Sequence, residues 1–373
     1  MLQKVSIQNF KSLKDVTLEL QKVNLLIGPN NSGKSNFLKA LELWGKYISF
    51  QTEQNRFVKT TNDLEEFSFK KKKGDLKFEV KFNEELIGCH INSNVDVYSG
   101  IDYKMLFDGE PYPASIPTEY FSKHSIELKV FNETARINIR NLERMVFENV
   151  KIYNIVPFFL IKSSSLSRDT SISESASNLV SFLDNIKEEN PSIFRKIEED
   201  LNKCIPEFKH ITLPKTKAEN GYIEKKIKLL DKDENGYWAD EVSEGVLYFL
   251  ALLCIVHQPN PPKLLLLEEP EKGIHPRRIH EVMKFIFQLA EDKDIQVIMT
   301  SHNEHVLEEF AIIPEAVFIF DKDEEGATFV KNLQKDVIEP DTQKAKEFGI
   351  EPIDYLDNIG ENWFMGLMGG VPA

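Results

Sequence analysis

Gly28-Pro29-Asn30-Asn31-Ser32-Gly33-Lys34-Ser35 carries the spacing G-x-x-x-x-G-K-[ST]. A mostly apolar run, Val23 to Ile27, comes directly before it. A helical pattern follows from Ser35 to about Tyr47, with Phe37, Leu38, Leu41 and Trp44 at helical spacing. Strand, glycine loop and helix in that order predict a phosphate-binding loop rather than a chance turn. The loop's backbone N–H groups and the helix N-terminus form a cradle for an anion. In such a cradle Lys34 reaches the β- and γ-phosphates, and the Ser35 hydroxyl holds Mg2+. The expected ligand is a nucleoside triphosphate, bound along Gly28 to Asn36.

The bulk of the chain fits an ordinary globular protein around this loop. Its 373 residues leave room for two or three domains. A net charge of −14 argues against a surface coated with basic groups for tight non-specific DNA binding, while leaving room for a local basic groove. Basic residues cluster at Lys70 to Lys73 and Lys225 to Lys228, in or beside strand-like runs, where a solvated strand face is the plainer reading. Cys89, Cys204 and Cys254 are scattered and form no C-x-x-C pair, which predicts reduced thiols and a cytoplasmic setting. The first ten residues lack the apolar core of a signal peptide. The longest apolar run, Val246 to Val256, has eleven residues. That is too short to span a bilayer, so a buried helix is expected there and no membrane partner.

Before the loop, Val5, Ile7 and Phe10, then Val16, Leu18 and Leu20, predict two more short strands. Residues 51–66 turn polar and read as a loop. Alternation in Leu76 to Phe82 and Ile126 to Val130 predicts an antiparallel β-lobe between Phe67 and Phe131. Ser163 to Ser175 is serine-rich and reads as an exposed loop. Helices are expected over 176–187 and 192–204, with Pro191 opening the second. Strand character resumes from Phe208 to Leu230. From Ser243 onward helices alternate with strands: helix 244–257, strand 263–267, helix 276–290, strand 295–300, helix 304–310, strand 316–320. That rhythm predicts a largely parallel, covered sheet, so the fold class is α/β. With the loop at the front and the rhythm at the back, residues 1–50 and 236–373 are expected to form one domain, with 51–235 inserted between its halves.

Leu264-Leu265-Leu266-Leu267-Glu268-Glu269 completes the pattern. Four leucines read as a buried strand, and two carboxylates emerge at its C-terminal end, where ligand chemistry sits in open α/β sheets. Glu268 is placed to bind Mg2+, and Glu269 to orient and polarise the attacking water.

Taken together these motifs resemble the ABC-type ATPase superfamily, and within it the soluble branch of RecF-, SMC- and OLD-type ATPases. Gln8-Asn9-Phe10-Lys11-Ser12 resembles that branch's N-terminal signature, which places Lys11 near the nucleotide. Val242-Ser243-Glu244-Gly245-Val246 resembles its short signature motif, reduced to S-x-G. Glu269-Pro270-Glu271-Lys272-Gly273-Ile274-His275-Pro276 resembles the E-P-E-x-x-[LI]-H-P stretch of OLD-like and related predicted ATPases. Thr300-Ser301-His302 ends the next strand, where the family carries its switch histidine. Two points depart from the pattern: Glu268 stands where ABC proteins usually have Asp, and no Q-loop glutamine can be placed. Gln51 and Gln54 lie too close to the loop helix, and the next glutamine is Gln258.

The resemblance implies an ABC-type head that binds ATP and Mg2+ and hydrolyses ATP in a head-to-head homodimer. Ser243 and Gly245 of one copy would cap the γ-phosphate held by the other, and His302 would sense it. It also implies a role as the ATPase subunit of a bacterial anti-phage or genome-maintenance module that gates a separate effector, such as a nuclease. The alternatives are a RecF-like clamp whose partner is DNA and a scaffold that binds ATP without turnover.

Other signals carry less. Asp231-x-Asp233-x-Asn235-Gly236 copies the start of an EF-hand loop, but position twelve is Val242 and the flanks read as strands, so a hairpin turn is expected. Asp321-x-Asp323 is expected to be an acidic turn rather than a nuclease motif. His275 with His280, and His302 with His305, lack a metal-ligand context. Arg168, ahead of Asn178-Leu179-x-x-x-Leu183, is either functional or simply solvated.

Overall fold

All five residues of β3 (Val23–Ile27) are buried, and a strand buried on both faces needs neighbours at both edges. It has them. On one side β17 (Gln296–Ser301) runs parallel, with Ser301 opposite Ile27, and on the other β18 (Val317–Lys322) runs parallel, with Ile319 opposite Ile27. β19 (Thr328–Asn332) closes that edge as an antiparallel partner of β18, while β16 (Leu264–Glu268) lies beyond β17.

The computed structural model describes residues 1–50, 68–71, 76–82, 85–91, 105–107, 110–112, 126–130, 133–137, 150–164, 167–217 and 223–371. They divide into two compact units. Unit 1 comprises 1–150, 263–266 and 295–373, and unit 2 comprises 151–262 and 267–294. The parallel sheet from β17 to β18 belongs to unit 1. The loop expected over 51–66 and the side chain of Trp44 lie outside the described residues.

Unit 1 holds a second, antiparallel sheet. β1 (Leu2–Phe10) pairs with β2 (Leu13–Glu19) on one side and β4 (Leu76–Phe82) on the other. β5 (Glu85–Ile91), β6 (Met105–Phe107) and β7 (Glu110–Tyr112) extend it, and β8 (Ile126–Val130) with β9 (Glu133–Ile137) makes a separate hairpin. Its apolar face follows the period of two: Val5 lies between Leu18 and Val80, and Ile7 between Val16 and Phe78. The division expected at 50/51 therefore falls inside one continuous sheet. Gln296 bonds the strands together, its side chain accepting from Leu2 N–H and donating to the Leu2 and Gln21 carbonyls. Helix α1 (Lys34–Phe50) buries Phe37, Leu38 and Leu41, with Phe37 edge-on to Phe320 of β18 at 6.1 Å.

Unit 2 opens with β10 (Ile152–Tyr153) and a one-turn helix, α2 (Pro157–Leu160). The described residues of the serine-rich segment after it are irregular and, Ile172 apart, exposed or half-buried, with Arg168 among the exposed ones. Ile172 is its buried anchor, with its N–H held by the Gln258 side chain at 3.0 Å. Helices α3 (Leu179–Glu189) and α4 (Pro191–Cys204) follow, the second opened by Pro191 as expected. A small sheet of β11 (Phe208–Thr212), β14 (Lys228–Asp231) and β15 (Gly236–Trp238) lies beside a hairpin of β12 (Lys215–Lys217) and β13 (Ile223–Lys225). The EF-hand-like stretch is the β14–β15 turn, where Asp231 Oδ1 accepts from the N–H groups of Asp233 and Asn235.

Helix α5 (Glu244–His257) is apolar on all sides and buried from Leu247 to Val256. It packs between α4 and α6 (Pro276–Asp292), with Phe249 stacked on Phe285 at 4.1 Å. Asp200 of α4 ties the three helices, accepting from Lys203 at 2.8 Å, Lys293 at 2.6 Å and His257 at 2.7 Å. Burial works against its charge, but these donors outweigh it and hold the carboxyl well below the usual carboxylate range. No helix among the described residues is long and apolar enough to cross a membrane.

Candidate functional site

In unit 1 the glycine loop joins β3 to α1. Gly28 and Gly33 adopt φ +149 and +109, conformations that side chains rarely take. Neither has room for a side chain: a Cβ on Gly28 would lie 2.1 Å from the Phe320 carbonyl oxygen, and one on Gly33 would lie 2.1 Å from Thr328 Oγ1. Lys34 is 6% exposed and its ammonium bonds the carbonyls of Gly28 and Pro29 at 2.7 and 2.8 Å. A lysine that curls over its own loop holds a positive charge against that loop's backbone carbonyls. Ser32 Oγ is buried without a hydrogen-bond partner. An ammonium, a hydroxyl lacking a partner and a tight glycine backbone form a donor set that fits phosphate oxygens.

Outside the octapeptide the loop has a support that its motif does not reveal. Thr328, at the start of β19, is 3% exposed, and its Oγ1 lies 2.8 Å from both the Ser32 carbonyl and Ser12 Oγ. Its N–H donates to the Ser12 carbonyl at 2.8 Å, and Asn36 Nδ2 donates to Ser12 Oγ at 2.9 Å. Ser12 was visible as the last residue of the N-terminal signature, but nothing in the sequence pointed to Thr328. Lys11 sits in the β1–β2 turn at φ +51, with Nζ 5.6 Å from the centre of the Phe10 ring.

His302 follows the last residue of β17. Because Ser301 pairs with Ile27, the histidine and Gly28 leave the sheet at the same edge of adjacent parallel strands. Unit 1 thus brings His302 and the glycine loop together. A turn near the C-terminus backs the loop from another side. Gly370, at φ +61, is so close that a Cβ there would lie 2.5 Å from Ile319 Cγ2 and 3.8 Å from Gly28 Cα. Trp363, buried in helix α9 (Ile359–Phe364), donates from Nε1 to the Gly370 carbonyl at 2.9 Å.

The other candidates belong to unit 2. Glu268 ends β16 and accepts from Asn154 Nδ2 at 3.4 Å. Burial pushes the hydroxyl of Tyr153, the residue before Asn154, up to about 12, so it stays neutral. Glu269 follows at φ +47, a left-handed conformation uncommon for a non-glycine residue, and its carboxylate faces Lys272 at 3.9 Å. Ser243 caps α5, accepting from Val246 N–H at 3.4 Å. Among the described residues a Cβ on Gly245 would meet only Val282 Cγ2, at 3.8 Å, so their packing does not require glycine there. Among the described residues no cluster of three or more His, Cys, Asp or Glu could hold a metal ion. Ser35, in unit 1, and Glu268, in unit 2, each carry a hard oxygen of the kind Mg2+ takes.

A family model described as "AAA domain, putative AbiEii toxin, Type IV TA system" matches residues 112–308, more than half of the chain. The chain belongs to this AAA family. A second model, "AAA ATPase domain", matches residues 1–154 of the same AAA chain. It is 23% identical over 343 residues to an "ATP/GTP phosphatase" of Helicobacter pylori, covering 83% of this chain and 87% of that protein. Among solved structures it resembles an SMC head bound to the C-winged helix domain of ScpA, with a TM-score of 0.52, 16% identity and coverage of 88% of this chain and 96% of that one. The SMC head domain from Thermotoga maritima matches with a TM-score of 0.50 and 15% identity, over 89% and 98% of the two chains. The fold is that of an SMC head-like P-loop ATPase, with a mostly parallel sheet flanked by helices. The AAA chain is an ATP-binding ATPase of this kind.

Proposed function

We propose that this AAA chain binds ATP through residues 28–36 and hydrolyses it in a dimer of two copies. The observation that carries the reading is the loop's anatomy: two glycines that tolerate no side chain, an ammonium folded inside the loop and a buried hydroxyl without a partner. Lys34 neutralises charge on the β- and γ-phosphates, and Lys11 lies against the nucleotide from the β1–β2 turn. Ser35 and Glu268 hold Mg2+, which supplies charge neutralisation at the phosphate oxygens. Glu269 orients and polarises the attacking water, and His302 contacts the γ-phosphate.

The second copy completes the site with Ser243 and Gly245. A glycine inside a helix costs about 1 kcal/mol relative to alanine. Packing within unit 2 does not call for it at 245, which supports close approach of something from outside the chain. Residues 1–50 and 236–373 supply the catalytic parts of the head, and 51–235, beyond the strands it adds to the sheet of β1, offers the surface on which a separate effector docks. An SMC head of this fold is bound by a domain of ScpA, and the family description names a toxin and a TA system; both support a protein partner and a defence module of the OLD-like kind.

Phosphate release and ATP binding, measured across a concentration series, test the proposal. Lys34→Ala should abolish binding. Glu269→Gln should bind ATP while turnover falls by roughly 100-fold or more. Ser243→Arg should spare binding and stop turnover. Turnover per chain that stays constant through the range where dimers dissociate would rule out the shared site, and full activity in Glu269→Gln would rule out its catalytic role.

A further inference from the structure

The loop's support from Ser12 and Thr328 has a direction, and it follows from counting protons. Thr328 Oγ1 has one hydrogen and two neighbours at 2.8 Å. The Ser32 carbonyl can only accept, so Thr328 donates to it and must accept from Ser12. With its own proton committed, Ser12 Oγ accepts from Asn36 Nδ2 at 2.9 Å. The result is a one-way relay: Asn36 amide to Ser12 hydroxyl, to Thr328 hydroxyl, to the carbonyl of residue 32. It begins in the first turn of α1, passes through the β1–β2 turn and the start of β19, and returns to the loop.

The relay fixes a peptide plane. In a trans peptide the C=O and the following N–H point in opposite directions, and among the described residues there are no cis peptide bonds. Tying the Ser32 carbonyl to Thr328 therefore turns the Gly33 N–H away from the relay. Gly33 faces the same two hydroxyls with its Cα: a Cβ there would lie 2.1 Å from Thr328 Oγ1 and 2.8 Å from Ser12 Oγ. The two hydroxyls thus set both the residue type at 33 and the direction of its N–H.

We propose that Thr328, acting with Ser12, is a positioning residue for ATP: it locks the 32–33 peptide so that the Gly33 N–H is presented to the nucleotide's phosphates. The proposal rests on the ATP-binding reading above, and its own prediction is separable from it. β19 is about 290 residues from the loop in sequence yet supplies this contact, and the contact is buried, so water cannot substitute freely for the hydroxyl.

The test uses the full chain and a fluorescent ATP analogue. Thr328→Val keeps the shape and removes the hydroxyl, and it should weaken binding about tenfold. Thr328→Ser keeps the hydroxyl and should return affinity to within about twofold. A merely structural role would not move the amide signal of Gly33, which can be followed after selective labelling of the 17 glycines. That signal should shift in the valine variant and return in the serine variant. If Thr328→Val does not fold, Ser12→Ala cuts the relay one step earlier and should give the same pair of changes. A wild-type chain that does not bind the analogue would overturn the nucleotide reading and this proposal together. A wild type that binds, with valine or alanine variants that bind equally well, would overturn the positioning role alone.

Discussion

At Gly33 the permitted side chain is a hydrogen atom, for two independent reasons. Its φ of +109 strains any L-residue, and the space a methyl would need is filled by Thr328 Oγ1 at 2.1 Å. Gly326, in the β18–β19 turn, separates the two effects, since at φ +80 it has none of the described residues within 4 Å of a would-be Cβ. Gly326→Ala should therefore lower stability by about 1 kcal/mol, from backbone strain alone, and leave ATP binding intact. Gly33→Ala should lose about 2–3 kcal/mol and its ATP binding as well. Chemical denaturation and a nucleotide titration on the two variants would check this, and equal behaviour of the pair would mean the loop tolerates the methyl.

Helices and strands were legible where burial imposes a period. β3 and α5 lie within the bounds their apolar runs predict, and β16, α6, β17 and β18 within two residues of theirs. Helix α7 (Glu304–Glu308) stops two residues short of expectation. Beyond Phe320 no apolar period marks the elements. β19 buries only its first residue, and α8 (Glu339–Phe348) buries only Ala345, so neither shows an apolar stripe to read. The glycine loop could be found because its backbone demands fixed residues at fixed spacing. The contact from Thr328 obeys no spacing rule, and it becomes visible only when β19 is placed beside β18.

The Asp200 cluster makes its own prediction at this scale. Burial, ahead of the opposing bond to Asp200, holds His257 below its ordinary 6.5. Below pH 6.5 the unfolded chain therefore takes up a proton that the folded chain refuses, and stability falls as pH falls. Asp200 is held below its ordinary 3.8, so its contribution is complete above that pH and is lost as pH drops through the folded value. Both signs agree: unit 2 should weaken on acidification, beginning below about pH 6.5. Asp200→Ala should destabilise it by about 2 kcal/mol at pH 7, by leaving Lys293 and His257 without their shared acceptor. Thermal melts from pH 8 to pH 4 would read both, and a wild-type melting temperature that rises on acidification would contradict the assignment.

Over the whole molecule, each unit is assembled from separate stretches of chain: three in unit 1 and two in unit 2. The glycine loop sits near the front, but both strands that flank β3 come from beyond residue 295. A fragment ending at Pro262 would contain the entire octapeptide and neither neighbour of the strand that presents it. It should show no cooperative melting of unit 1 and no ATP binding, as judged by circular dichroism and a nucleotide titration. Binding by the fragment would mean that the loop is formed by local sequence alone.

The parallel pairing of β3 with β17 also has a consequence in time. At ribosomal rates of roughly 5–20 residues per second, the partner of Ile27 emerges about 14–55 s after Ile27 itself. For that interval four apolar residues and Asn24 have no sheet to enter, and the nascent chain carries an open strand edge just ahead of its glycine loop. How quickly cells make this protein, and what shields its first thirty residues meanwhile, therefore bears on how much of it ever acquires a working loop.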